Sequence, residues 1–344
     1  MAVTYEVVLW NRQKKIYDRA LWLGIALILA SFIAFEVLFY PDITAETLII
    51  RATAFTGVVL LHIILLIGPL SRIDTRFLPL LYNRRHLGVS MFLLVLIHGL
   101  FSIVQFHALG DINPLASVFL SNQHYQSISA FPFQILGFFA LVIFTLMAAT
   151  SHDFWLKNLG PRFWKAMHML IYLAYGLVIA HVALGTLQYE QDVFYQVLLW
   201  GGFLLISGLH IYAGVKENRR LQEQKTALVE EGYYQVAKVD EIEDSCGKSV
   251  FVDGQNIAIF KYDGKLSAVH NVCKHQMGPL GEGRVVDGCI TCPWHAYQYL
   301  PENGQAPAPF KEKLHTYQLR LVEDTIWVNP TPLAEGTAVD PVQL

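Results

Sequence analysis

Charge is scarce in this chain. Asp, Glu, Lys and Arg make up 15% of its 344 residues, against roughly 25% in an average soluble domain. So little charge excludes a wholly soluble fold unless the apolar residues, 54% of the total, are spread evenly. They are not: they collect before residue 216. Cysteine is scarcer still, with four residues and none before position 246. A net charge of −3 offers no basic surface for nucleic acid, so none is expected as a partner. There is no internal repeat, no low-complexity segment and no small-residue cleavage site after the first apolar stretch, which excludes a signal peptide.

Six apolar stretches remain, at about 21–40, 47–70, 86–106, 129–150, 166–187 and 193–214. Each is long enough for a hydrocarbon core, which takes about 20 helical residues. Three of the connecting loops, "YPDITAET", "HALGDINPLASVFLSNQHYQSIS" and "GTLQYEQD", lack Lys and Arg altogether. The others hold them: Arg72, Arg76, Arg84 and Arg85 in one, Lys157, Arg162 and Lys165 in another, with Arg12–Arg19 before the first span and Lys216, Arg219 and Arg220 after the last. Basic loops stay in the cytoplasm, so both termini are expected there. The expected location is a bacterial-type cytoplasmic membrane, crossed several times.

Beyond the sixth span, "KENRRLQEQKTALVEEG" is polar, Pro-free and rich in helix formers, which suits a short stalk. Short β-type runs follow, separated by turn signals such as "DGQN", "YDGK" and "VDGC". The expected organisation is a cytoplasmic N-terminus over 1–20, a six-span domain over 21–215, a linker over 216–231, a β-domain over 232–330 and a tail over 331–344. The fold class is a membrane all-α six-helix bundle with a C-terminal all-β domain.

All four cysteines lie in that β-domain, and cytoplasmic thiols stay reduced, so metal binding is favoured over disulfides. In "CKHQMGPLGEGRVVDGCITCPWH", Cys273 and His275 form one pair and Cys292 and His295 another. A two-Cys, two-His zinc site could use these donors. The tight Cys-x-His turn and the Pro beside Cys292 fit a [2Fe–2S] cluster with two Cys on one iron and two His on the other. Cys289 reads as a small buried residue, Cys246 in "EDSCGK" as a turn residue, and His270 and His315 as ordinary β-domain side chains.

On these boxes and their flanks, "KYDGKLSAVHNVCKH", "GPLGEGRVVDGCITCPWHAYQY" and "NGQAPAPFKEKLHTYQLRLVEDTIWV", the region 232–330 resembles the Rieske domain family. The resemblance implies a [2Fe–2S] cluster on Cys273, His275, Cys292 and His295. Rieske proteins of respiratory bc complexes carry an extra cysteine in each box, and here Trp294 stands in one such place. That is similar to the ferredoxins found with aromatic-ring dioxygenases and implies the low end of the potential range. Ala296 stands where the family usually has Gly and is expected to be tolerated while altering a tight turn.

Ionisable side chains inside a span mark function by default. His86 and His98 lie on span three, His168 and His181 on span five, and both spans run outward. The second member of each pair sits about 18–20 Å beyond the first. Pairing by depth gives two bis-histidine sites, as a helical bundle would hold two b-type haems. Hydrogen bonding between helices is the plain alternative. Neither pair lies on one helix face at about 100° per residue, which makes the inner haem the weaker of the two, and His86, at the very edge of its span, is the weakest ligand. His62 and His210 are the substitutes and otherwise hydrogen-bond between helices. Arg84 and Arg85 anchor the cytoplasmic end and sit where haem propionates or a flavin phosphate would need a bidentate cation. His107, His124 and His152 fall in loops.

Through "RRHLG", His98 and "SHDFWLKNLGPRFWKAMHMLIYLAYGLVIAH", residues 45–215 resemble the ferric-reductase-like transmembrane superfamily, nearest to the haem-bearing membrane subunit of bacterial periplasmic methionine sulfoxide reductase. The two resemblances together imply single-electron transfer from the cytoplasmic cluster through two haems to an outer acceptor or periplasmic partner. No glycine-rich dinucleotide fingerprint follows span six, so a separate reductase, ferredoxin or quinol is expected as donor. A non-catalytic redox sensor or membrane anchor subunit is the alternative. A membrane-bound Rieske oxygenase would need a mononuclear iron domain, for which only about fifteen residues follow.

Overall fold

The computed structural model describes residues 12–81, 84–152, 155, 158–159, 161–190, 192–224, 229–275, 277–294 and 296–344. The chain divides into two compact units: Gly68–Tyr82 with Leu209–Leu344 form one, and the remainder the other.

The long helices are α1 (Arg12–Phe39), α2 (Ala45–Ile73), α3 (Arg84–His107), α4 (Gln134–Ala149), α5 (Pro161–His168), α6 (Ile171–Leu184) and α7 (Gly202–Gln224). Five helical stretches, Lys15–Phe39, Ala45–Ile73, Arg84–His107, Phe163–Gln188 and Val193–Arg219, are long and apolar enough to cross a membrane. The protein is therefore a multi-pass membrane protein. The expected fourth span is shorter, because Pro132 sits in the loop ahead of α4 and the helix runs for 16 residues. The fifth span is two helices. At Met169–Leu170 the ladder tightens: Met169 N–H is shared between Lys165 O (3.0 Å) and Ala166 O (3.2 Å), and Leu170 N–H bonds Met167 O (3.1 Å). Neither residue is Pro or Gly, so the apolar pattern gives no hint of the break. The sixth span opens with an α-helical turn, Val193–Gln196, followed by a π-helical turn, Val197–Gly201.

One loop carries more structure than its composition suggests. Pro114–Leu120 is a short helix capped by Asn113, whose side chain accepts from the Leu115 and Ala116 amides. Asn at the cap with Pro in the first turn was the available signal.

In the second unit the strands are β1 (Val229–Glu230), β2 (Tyr233–Lys238), β3 (Cys246–Val252), β4 (Gln255–Tyr262), β5 (Lys265–His270), β6 (Arg284–Val286), β7 (Cys289–Thr291), β8 (Gln298–Tyr299), β9 (Thr316–Tyr317), β10 (Leu319–Val322), β11 (Thr325–Val328) and β12 (Val342–Gln343). They form an antiparallel sheet β1-β2-β11-β10 and a larger curled one, β12-β5-β4-β3-β6-β7-β8, with β9 on β5. Three Asp-Gly pairs close its hairpins. Asp253-Gly254, Asp263-Gly264 and Asp287-Gly288 all have positive φ at both residues, as a two-residue type I′ turn demands. Cys246 opens β3 opposite Lys261 and Arg284, so it is a strand residue and not a turn residue. Residues 331–344 are built into the domain, with Val342 paired to Leu266 and the Leu333 amide bonded to Thr316 O.

Candidate functional site

The two Cys–His loops are near copies of each other. In the first, Cys273 N–H bonds Gly278 O (2.9 Å) and Met277 N–H bonds Cys273 O (2.8 Å). In the second, Cys292 N–H bonds Tyr297 O (2.8 Å) and Ala296 N–H bonds Cys292 O (2.9 Å). Met277 and Ala296 both take the left-handed conformation, φ 58° and 57°. Ala296 closes its turn in the same form as Met277 in the partner loop. Gly278 lets the loops approach: a Cβ there would lie 3.0 Å from Cys292 Sγ.

Both cysteines are buried in one apolar cluster with Phe260, Leu280, Tyr297 and Tyr299. Burial raises the Cys273 thiol, but hydrogen bonds from the Cys292 thiol, the Tyr299 hydroxyl and the His275 amide outweigh it and leave Cys273 well below the ordinary thiol range. Burial and the nearby Cys273 push the Tyr299 hydroxyl far up, so it stays a donor. That hydroxyl lies 3.5 Å from Cys273 Sγ and accepts the Lys274 amide at 2.9 Å. His275 stacks on Tyr297 with centroids 5.3 Å apart and planes 8° from parallel. His295 lies outside the described residues, and among those described no three metal-ligating side chains close on one point. Cys289 is half-buried on β7.

In the helices, His98 and His181 come together with ring centroids 6.3 Å apart. Each ring is aimed by a backbone carbonyl on another helix or its approach: His98 Nδ1 donates to Ile50 O (3.1 Å) and His181 Nδ1 to Phe133 O (2.9 Å). Gly137 on α4 admits the second ring, since a Cβ there would meet His181 Cε1 at 2.7 Å. The other two histidines are held separately. His86 Nδ1 donates to Asp18 Oδ1 at 2.8 Å. His168 Nδ1 donates to Trp164 O (3.0 Å), and its ring stacks on Trp164 at 3.8 Å. Arg84 and Arg85 open α3, half-buried.

Among the described residues His62 has no hydrogen-bond partner at Nε2. It is 7% exposed, meets Tyr175 edge-on at 5.7 Å and lies where a Cβ on Gly202 would be 2.5 Å away. His210 is half-buried on α7. His107 ends α3 and bonds Ser117 Oγ at 2.9 Å.

The Rieske [2Fe-2S] domain family matches residues 232–318, and the ferric reductase like transmembrane component family matches 53–179. The ferredoxin subunit of anthranilate 1,2-dioxygenase from Burkholderia cepacia is 40% identical over 81 residues, covering 23% of this chain and 74% of the relative. The chain belongs to the Rieske [2Fe-2S] family. Its helical part is similar to the ferric reductase like transmembrane component family: the protein-methionine-sulfoxide reductase heme-binding subunit MsrQ of Polaromonas naphthalenivorans is 34% identical over 137 residues, 40% of this chain and 57% of the relative. The chain thus spans a little over half the length of that subunit. A solved ferredoxin of carbazole 1,9a-dioxygenase from Nocardioides aromaticivorans covers 28% of this chain and 96% of its own at 22% identity, with a TM-score of 0.27.

A Rieske cluster needs two thiolates side by side on a pair of loops, and Cys273, lowered and hydrogen-bonded to the Cys292 thiol, fits it. A haem iron needs two imidazoles facing each other. A metal–nitrogen bond of about 2 Å, with the ring centre ~1.1 Å behind the nitrogen, spaces two axial rings about 6.2 Å apart. His98 and His181 fit that spacing, and their bonded Nδ1 atoms leave both Nε2 for a metal.

One network escaped the sequence reading. Glu36 on α1, fully buried, binds Arg51 on α2 (3.2 Å), which also binds Glu190 (2.9 Å), and Tyr195 donates to Glu36 at 3.4 Å. Arg51 follows Ile50, the residue that aims His98. The signal was available: a carboxylate and an arginine inside apolar spans.

Proposed function

We propose that this protein carries single electrons across a membrane, from a cytoplasmic donor to an acceptor on the outer side. The facing, carbonyl-aimed pair His98 and His181 carries this reading. The carriers when bound are a Rieske cluster on Cys273, His275, Cys292 and His295 and two b-type haems, the outer on His98 and His181, the inner on His86 and His168. The basic loops support a cytoplasmic side for the Rieske domain and both termini.

The chain's own residues fix the donors and shield them. Ile50 and Phe133 carbonyls set the tautomer of the outer pair, so each Nε2 presents a lone pair. Tyr299 supports the charge on Cys273. Arg84 and Arg85 give a bidentate cationic clamp for inner-haem propionates. The donor is a separate reductase, ferredoxin or quinol, and the outer acceptor is a small oxidant or a periplasmic partner.

A combined optical and EPR redox titration of the purified protein tests this. Two haems per cluster are expected, with the cluster not far above either haem in potential. One haem or none would remove the two-haem arrangement, and a cluster well above both would reverse the direction.

A further inference from the structure

The four proposed haem-ligating histidines differ in what their second nitrogen touches. His98, His168 and His181 each donate Nδ1–H to a backbone carbonyl, at 3.1, 3.0 and 2.9 Å. His86 alone donates to a carboxylate, Asp18, at 2.8 Å. Asp18 is 7% exposed and comes from α1, which lies outside the stretch matched by the ferric-reductase-like family. We propose that Asp18 is a positioning residue that lowers the potential of the inner haem and so helps set the outward direction of electron flow. This rests on the two-haem reading above.

The physical chain is short. A carboxylate accepting from the far nitrogen draws the proton towards itself and makes the imidazole a stronger donor to iron. A stronger donor favours the oxidised metal, which carries one more positive charge, and the fixed negative charge of the carboxylate acts in the same sense. Backbone carbonyls hold the ring without supplying a formal charge, so the outer pair lacks this bias. Arg84 and Arg85, which open the helix bearing His86, act with the opposite sign, because cations favour the electron-rich state. Without Asp18 the inner level would lie higher in potential, and passing the electron outward would be less favourable.

The test is a redox titration of the full chain in its haem- and cluster-loaded form, comparing wild type with Asp18→Asn and Asp18→Glu. The inner haem is assigned as the one lost in His168→Ala. Asn keeps the size and the acceptor oxygen but removes the charge. Asp18→Asn should shift the inner haem about tenfold towards its reduced form, a rise of about 59 mV for one electron, while the outer haem and the cluster stay put. Asp18→Glu should return most of the shift. A purely structural Asp18 would move neither midpoint selectively, so two bound haems with unchanged midpoints in Asp18→Asn overturn the proposal and leave the two-haem reading standing. A wild type with one haem sinks both. If Asp18→Asn does not fold or loses a haem, near-infrared magnetic circular dichroism of the wild type decides. One haem with imidazolate-like ligation supports the proposal, and two like bis-imidazole signatures overturn it.

Discussion

The cysteine loops and the membrane histidines each bring together donors from two chain segments, but they are built over different distances. The backbone turns of the Rieske loops close over short stretches of chain: Cys273 and Cys292 are oriented by Gly278 and Tyr297, a few residues downstream of each. The His98–His181 pair is aimed by Ile50 and Phe133, each 48 residues from the ring it holds. The first is a local device that a short motif can specify. The second is a property of helix packing, spread over elements that supply no ligand.

That contrast can be broken where it is most exposed, at residues remote from any ligand. Gly137→Ala puts a methyl group 2.7 Å from the His181 ring, so α4 or the imidazole must move. The expected outcome is loss of one haem per chain with an unchanged cluster EPR signal, and an intact haem count would mean that the helical site tolerates repacking. Arg51→Ala comes next. It leaves the fully buried Glu36 without its cation, a change costing about 3–5 kcal/mol for a buried pair, with the lower end expected because the Arg51 side chain is 28% exposed. Thermal unfolding in detergent should show the loss, and the double change Glu36→Leu with Arg51→Leu should recover most of it. A single variant as stable as wild type would make the network a solvated decoration.

The same contrast explains what the amino-acid order reveals. The Asp-Gly turns and the apolar spans are local patterns, and the structure carries the three turns and five of the six expected spans at full length. Cys246, read as a turn residue from "EDSCGK", opens β3 instead, because pairing with β4 and β6 is a long-range fact. The break after His168 has no Pro or Gly to announce it, and residues 331–344 lack a strand-like pattern yet add β12 to β5. The pairing of His98 with His181 was legible from depth alone, since two parallel spans fix depth whatever their rotation. Rotation is what the sequence hides. Asp18, Ile50, Arg51 and Gly137 owe their roles to which helix faces which, and no single-chain periodicity records that.

Smaller effects sharpen the local side of the comparison. Tyr299→Phe removes the hydroxyl beside Cys273 Sγ. A donor to a ligand sulfur stabilises the extra negative charge of the reduced cluster, so its loss should lower the potential. About 1 kcal/mol for one hydrogen bond corresponds to roughly 40 mV for one electron. Haem midpoints should not follow, and an unchanged cluster midpoint would show that the contact is too long to matter.

The smallest expected change is a gain. Ala296 holds φ at 57°, where a side chain costs roughly 1–2 kcal/mol, because Cβ crowds the following carbonyl. Glycine removes that crowding but gives back about 0.5–1 kcal/mol through the freer unfolded chain. Ala296→Gly should therefore stabilise the β-domain by about 0.5–1 kcal/mol, seen as a slightly higher temperature for bleaching of the cluster's visible absorbance. Met277 takes the same conformation in the partner loop, at φ 58°, and offers an internal control. If the two loops are independent local turns, Met277→Gly should give a gain of similar size and the two should add, as separate sites do. A gain from one and a loss from the other would mean that a side chain at that place packs usefully, and that the loops are less alike than their hydrogen bonds make them.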